Sequence, residues 1–412
     1  MRVSSQRGSR GRSTIRRRRS YERAGRIRSS SAKRGCGSPH NDPAGSAATD
    51  STPPRSSRPW PGRAATSSSQ SRRSRSIPRI FARVRIGTAT TRIEARSEDL
   101  LLKTIYESLA WKEVRLTAHA AAQHIALKYG EAGATGTRAT LIAGTHGDEG
   151  PWSALAIKLF CENAIGALKG RLRVIFTANA LAAEVERRNS WIDSPNSVDL
   201  DGVFPGNPEG SHSERVAAAI APLIADSDVV IDLHGGGTWC VNAFVKRFEG
   251  SEQLAADLGA PFISNAPNKP GGLTTYAKSL GIKVANVEVG GRSSREMYWT
   301  ERNVKGLERA LVRLSVLDLA APPAPAEKSI DVGATAPMRA KVGGIFVPTL
   351  REDAVGTIVP KGTEMGKILD LHTLAELQTF TAPHEQTAMM LMRPQICTFE
   401  GSALVYVIAR PT

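Results

Sequence analysis

Four short, mainly apolar runs recur through the middle of the chain, at 139–143, 172–177, 228–233 and 283–289. Each has the length and residue type of a strand buried on both faces. Helical patterns lie between them at 152–161, 213–225 and 273–280, and a longer one follows at 301–318. Strands alternating with helices leave few architectures, and the spacing predicts an α/β fold, a mainly parallel sheet flanked by helices. Sheets of this kind bind ligands beyond the carboxyl ends of their strands. His146 follows the first run, His234 closes the third and Glu288 lies near the end of the fourth. One rim is therefore expected to collect all three.

From 80 to 128 the pattern is mixed, with helical stretches expected near Asp99–Leu109 and Ala118–Lys128. Ala320-Ala321-Pro322-Pro323-Ala324-Pro325-Ala326 is a linker by composition. Beyond it, Gly343–Pro348, Val355–Gly362, Ala388–Met392 and Ala403–Ile408 are short β-type runs punctuated by Gly and Pro, which predict a small all-β module. This module resembles the barrel-sandwich fold of biotinyl and lipoyl domains. No lysine follows Lys367, so the hairpin that would carry a modified lysine is missing. The module is expected instead to pack on the catalytic part and wall its pocket. The expected organisation is a tail over 1–80, a catalytic domain over 81–320 and a β module over 328–412.

The formal charge of +16 divides unevenly: residues 1–80 hold 20 Lys+Arg against 3 Asp+Glu, and the remainder holds 35 against 36. The first 80 residues, with Arg16-Arg17-Arg18-Arg19 and Ser71-Arg72-Arg73-Ser74-Arg75-Ser76, have little apolar surface to bury. Ordering entropy wins there, and disorder is expected. Three readings compete for this tail. Dense arginine attracts RNA or phosphate; Arg- and Ser-rich, acid-poor segments serve as organelle transit peptides; or translation begins at an upstream start codon. The lack of aromatic interleaving or of a repeat favours the third. There is no apolar signal region, and no later run is long enough to span a membrane. Cys36, Cys161, Cys240 and Cys397 show no CxxC spacing, so neither a disulfide framework nor a thiolate metal site is expected. A reducing, cytoplasmic compartment suits them.

Two imidazoles and a carboxylate at strand ends are the donors of a catalytic zinc site that keeps one position for water. In Gly144-Thr145-His146-Gly147-Asp148-Glu149 the glycines allow a tight turn from strand to helix, so that His146 and Glu149 can face one point. Asp232-Leu233-His234 is followed by Gly235-Gly236-Gly237, where a metal or substrate can approach the backbone. Taken singly, Glu149 reads as a helix-capping acid and His234 as a structural strand-end histidine. Taken together they favour metal ligation, with one Zn2+ per chain. Glu288 is an acid inside an apolar strand, so it has a partner or faces a cavity. It is either the base for the attacking water or half of a buried salt bridge. Arg187-Arg188 is either a solvated pair or the source of a cation for a developing oxyanion.

Over roughly residues 135–410 the chain resembles the succinylglutamate desuccinylase/aspartoacylase group of carboxypeptidase-like zinc hydrolases. The resemblance is carried by Gly144–Glu149, the Asn179 to Arg188 spacing, Phe204-Pro205-Gly206, Asp232-Leu233-His234 and Val287-Glu288-Val289-Gly290. It implies that His146, Glu149 and His234 hold zinc and that Glu288 is general base, then general acid. It also implies that Arg188, rather than Arg187, polarises the scissile carbonyl. One departure bears on substrate. The family's Asp-Leu-Asn-Arg-x-Phe-Pro-Gly is here Asp199-Leu200-Asp201-Gly202-Val203-Phe204-Pro205-Gly206. The Asn-Arg pair that grips a substrate carboxylate in the family is replaced, so a bidentate cation is lost and an anion gained.

The expected activity is that of a zinc-dependent deacylase, an amidohydrolase cleaving a small N-acylated amino acid or amine other than an acyl-aspartate. Asp201 and Arg292 are candidate substrate contacts, and Arg292, Arg295 or Lys278 would have to substitute if acyl-aspartates bind. A metallocarboxypeptidase acting on small peptides is the second reading, weakened by the missing carboxylate anchor. A catalytically silent binding protein is the third, weakened by the intact His/Glu/His/Glu set. The expected partner is a small molecule, with no membrane, nucleic acid only through the tail, and self-association left open.

Overall fold

The computed structural model describes residues 103–118, 124–164, 168–193, 198–319, 322, 324–325 and 327–412. The tail expected over 1–80 and the start of the stretch near Asp99–Leu109 lie outside the described residues. The chain runs β1 (Ala110–Ala118), β2 (His124–Ala132), β3 (Arg138–Ala143), α1 (Gly150–Asn163), β4 (Arg171–Ile175) and α2 (Ala180–Ala183). It continues through α3 (His212–Ala225), β5 (Val229–His234), β6 (Val241–Arg247), α4 (Glu252–Leu258), β7 (Phe262–Asn265), α5 (Leu273–Ser279), β8 (Lys283–Gly290) and α6 (Glu296–Arg313). Short strands complete it: β9 (Ile330–Asp331), β10 (Ala336–Arg339), β11 (Gly344–Pro348), β12 (Ile358–Pro360), β13 (Glu364–Leu369), β14 (Glu376–Thr381), β15 (Gln386–Met392), β16 (Cys397–Phe399) and β17 (Leu404–Ala409).

The four apolar runs become β3, β4, β5 and β8, which lie in the order β4-β3-β5-β8 and pair in parallel. They form the centre of a 13-stranded sheet. Antiparallel neighbours extend it, β2 and β1 on one side and β6, β15, β17 and β10 on the other. Helices cover both faces of the centre. Leu141, Ile231 and Val287 cluster with Ile157 and Phe160 of α1 and Leu307 and Leu311 of α6. Ile142, Val230 and Val284 cluster instead with Val216 and Ile220 of α3 and Leu273 and Ala277 of α5.

The helix expected over Ala118–Lys128 is instead part of an antiparallel hairpin, β1 with β2. Ile125, Leu127 and Tyr129 recur at every second residue, Leu127 buried and Lys128 exposed between them. Alanine content hid this period of two. Near Asp99–Leu109 the described residues hold one 3-10 turn, Tyr106–Ser108.

The C-terminal β-type runs divide between two antiparallel layers. β14-β13-β11-β16 is a separate four-stranded sheet. Across from it, β12, β15, β17 and β10 belong to the large sheet, which β15 joins by pairing with β6. The Tyr406 ring meets Phe346 and Phe380 edge to face, at 6.1 and 5.6 Å between centroids. No helix among the described residues is long and apolar enough to cross a membrane.

Candidate metal centre and active site

On the sheet face that carries Val230 and Val284, the residues change character toward the carboxyl ends of β5 and β8. Same-face positions there are Asp232 and His234 on β5, and Asn286 and Glu288 on β8. The parallel register sets Asp232 beside Asn286 and His234 beside Glu288. Antiparallel β6 adds Lys246 opposite Asn286 and Phe244 opposite Glu288. Strand pairing alone thus assembles a polar row of Asp232, Asn286 and Lys246, and sets His234 beside Glu288 in the next.

From β3 the chain turns at Gly144, whose φ of +68° favours a residue without a β-carbon. Gly147 lies so close to α2 that a β-carbon there would stand 2.0 Å from the Ala182 carbonyl carbon. His146 and Glu149 sit on this stapled turn, just before α1. Their side chains meet His234. The Nδ1 atoms of the two histidines are 3.2 Å apart, and the Glu149 carboxylate lies 3.2 Å from His146 Nδ1 and 3.0 Å from His234 Nδ1. All three residues are buried.

Each ring's outer nitrogen faces another carboxylate: His234 Nε2 lies 2.8 Å from Asp232 Oδ2, and His146 Nε2 lies 3.0 Å from Asp199 Oδ1. An ionised carboxylate only accepts, so both Nε2 atoms donate and both Nδ1 lone pairs point inward. Lone pairs facing each other at that range, beside a carboxylate, repel unless a cation or proton lies among them. The donors therefore fit a divalent ion of the zinc type, with carboxylates orienting the imidazoles. In the metal-free protein, protons answer the same field. Burial disfavours a charged His234, but Asp232 and Glu149 outweigh it and hold its pKa well above the ordinary value. Burial would likewise raise Glu149, yet His146 and His234 hold it well below the usual carboxylate range.

Arg188 is half-exposed and reaches the centre, donating to Glu149 Oε1 at 3.0 Å and Asp199 Oδ2 at 3.4 Å. Arg187 is exposed. Glu288 has partners on both oxygens, Lys246 Nζ at 2.7 Å and Asn242 Nδ2 at 2.9 Å. Asp201 is neutralised within the fold, accepting from Lys269 Nζ at 2.9 Å and from the Leu273 N–H at 2.8 Å. Lys269 also approaches Asp199, at 3.5 Å. Arg292 is turned to Glu186, at 3.1 Å, and to the Trp152 ring. Lys278 pairs with Glu249, and Arg295 lies over the Tyr298 ring.

Sequence reasoning missed Lys246, Asn242 and Lys269, and gave no role to Asp199 or Asp232. Asp232 was findable, because it shares a strand face with His234. Asn242 and Lys246 also share a face, four residues apart in an otherwise apolar stretch. Lys269 lies in a loop, and nothing in its local pattern points to Asp201.

The model of the succinylglutamate desuccinylase/aspartoacylase catalytic domain matches residues 135–314. The matched segment, under half of the chain, is similar to that catalytic domain. His146, Glu149, Arg188, His234 and Glu288 all lie inside the matched segment of this desuccinylase/aspartoacylase domain. Over 103 residues the chain is 37% identical to N-alpha-acetyl-L-2,4-diaminobutyric acid deacetylase of Halomonas elongata. That match covers 25% of this chain and 29% of the relative, so under a third of the relative's length is spanned. Among solved structures, a succinylglutamate desuccinylase from Silicibacter sp. TM1040 is 18% identical, with a TM-score of 0.64 over 74% of this chain and 95% of the other. The product-bound ectoine utilization protein EutE (DoeB) of Ruegeria pomeroyi is also 18% identical, with a TM-score of 0.64 over 73% and 95%. These two likenesses establish a shared fold.

Proposed function

We propose that this protein is a zinc-dependent hydrolase that cleaves the amide bond of a small N-acylated amino acid or amine. The convergence of the His146 and His234 Nδ1 atoms, 3.2 Å apart, each with one Glu149 carboxylate oxygen no farther than 3.2 Å and with Arg188 nearby, carries this reading. Zinc bound there would supply a Lewis acid for the scissile carbonyl and ease deprotonation of water. Asp199 and Asp232 orient the imidazoles. Arg188 reaches the same centre from a half-exposed position and shares the charge that develops on the carbonyl oxygen. Glu288, in register with His234, takes a proton from the attacking water and delivers it to the leaving nitrogen. Buried thiols at Cys161 and Cys240 suit a reducing cytoplasm.

The substrate class follows from Asp201. With Lys269 beside it, the position holds an internally matched ion pair and offers no unpaired cation, in place of the family's bidentate carboxylate grip. An N-acylated diamino acid, which carries both signs, suits that pair better than a dianionic acyl-aspartate. The partial similarity to a diaminobutyric acid deacetylase supports the same class.

Glu288→Ala is expected to lower kcat by about 10²–10⁴-fold while zinc content stays at one per chain. Loss of zinc in that variant would make Glu288 structural. Efficient turnover of N-acetylaspartate in preference to N-acetyl-diaminobutyrate would overturn the substrate class.

A further inference from the structure

A base needs a free lone pair, yet Glu288 is gripped on both oxygens. β6 runs antiparallel to β8 with Phe244 opposite Glu288, so Asn242 and Lys246 flank Glu288 from two residues on either side, on the same face. Lys246 Nζ donates to Oε1 and Asn242 Nδ2 to Oε2. A carboxylate has about four acceptor positions, so one on each oxygen stays open. Neutralising the charge would take one partner. A second, uncharged donor on the other oxygen adds orientation, because two donors fix the plane of the group as well as its place. The Lys246 stem runs by the Phe244 ring, with Nζ 6.0 Å from its centroid. In the next row, Asn286 and Asp232 tie β8 to β5 at 3.4 Å. The clamp therefore joins β6 to β8, and β8 in turn is tied to β5, the strand that carries His234.

We propose that Lys246, together with Asn242, is a positioning residue that aims the Glu288 carboxylate for proton transfer. The inference rests on the reading of Glu288 as the base. An apolar residue at 246 would leave one oxygen of a mostly buried carboxylate without its charged partner, free to turn about its terminal torsion. A base displaced by about 1 Å slows proton transfer by about 10²-fold.

Lys246→Met in the full chain is accordingly expected to lower kcat by about 10²-fold with KM within about threefold, and with zinc content unchanged. Lys246→Arg, which keeps the charged donor, restores most of the rate. In a Glu288→Asp background the carboxylate is already withdrawn from the clamp, so Lys246→Met costs less than about threefold more. A raised KM with unchanged kcat, equal losses in both backgrounds, or loss of zinc would each overturn the proposal. Should Lys246→Met fail to fold, Asn242→Ala carries the same test, with an expected loss of about tenfold in kcat and the same non-additivity. If Glu288→Ala itself retains turnover, the base assignment falls first and the failure is traced there. If Glu288→Ala is inactive and Lys246→Met is not impaired, only the positioning role falls.

Discussion

Around β5 and β8 the large sheet buries charge; around β15 and β17 it buries hydrocarbon and aromatic rings. On the first side His146, His234, Asp232 and Glu149 are each less than a tenth exposed, and each is answered by an opposite charge or a donor. On the second, Met389, Met392, Phe346 and Tyr406 fill space, and the buried Tyr406 hydroxyl donates to Met365 O at 2.8 Å. One hydrogen-bonded ladder runs through both regions, from β8 through β6 to β15. The backbone scaffold is thus indifferent to what its faces carry. A face of charges persists only where every member has a partner, whereas an apolar face needs only volume.

That contrast can be broken by experiment. The largest effect is expected from His234→Ala, which removes one donor from a three-donor set. Zinc content should fall well below one per chain, and turnover by at least about 10³-fold. Retained zinc with retained activity would sink the metal-centre reading. Next in size is Phe346→Ala in the apolar region, which should cost about 3–5 kcal/mol in a denaturant titration. The folded fraction should keep its turnover. Lost activity without lost stability would mean that the two regions are not separable.

Asp199→Asn sharpens the comparison through pH. Burial would raise the Asp199 carboxyl, but the hydrogen bond and charge of His146, then Arg188 and Lys269, hold it far below the ordinary range. Its folded pKa lies below its unfolded one, so it stabilises the fold above about pH 4, and that contribution fades as pH falls through the folded value. Metal-free Asp199→Asn should therefore show a shallower loss of stability from about pH 5 downward than the parent chain. An unchanged slope would place the acid sensitivity elsewhere.

Much of the centre was legible because its parts sit at strand ends. His146, His234 and Glu288 could be assigned to one rim from apolar runs and a rule about parallel sheets. Glu149 followed from a turn with glycines on either side of His146. The departure at Asp201 was visible too, but its consequence was not: the anion is matched by Lys269, some seventy residues later, across two loops. Lys246 and Asn242 stayed hidden for a related reason. Their strand had not been recognised, and only its register against β8 brings them to Glu288. The helix expected over Ala118–Lys128 falls on the start of β2, since alanine-rich sequence supports either period until a neighbouring strand, here β4, pairs with one of them.

The order of residues therefore determined which segments become buried strands, where they end, and which acids and imidazoles stand at those ends. Periodicity and turn chemistry are local, and a single chain displays them. Only the tertiary structure decided who neutralises whom: Asp199 for His146, Lys269 for Asp201, and Lys246 with Asn242 for Glu288. Those pairings depend on strand register and on loops meeting in space. Over the few ångströms where such contacts act, distance along the chain says nothing about them.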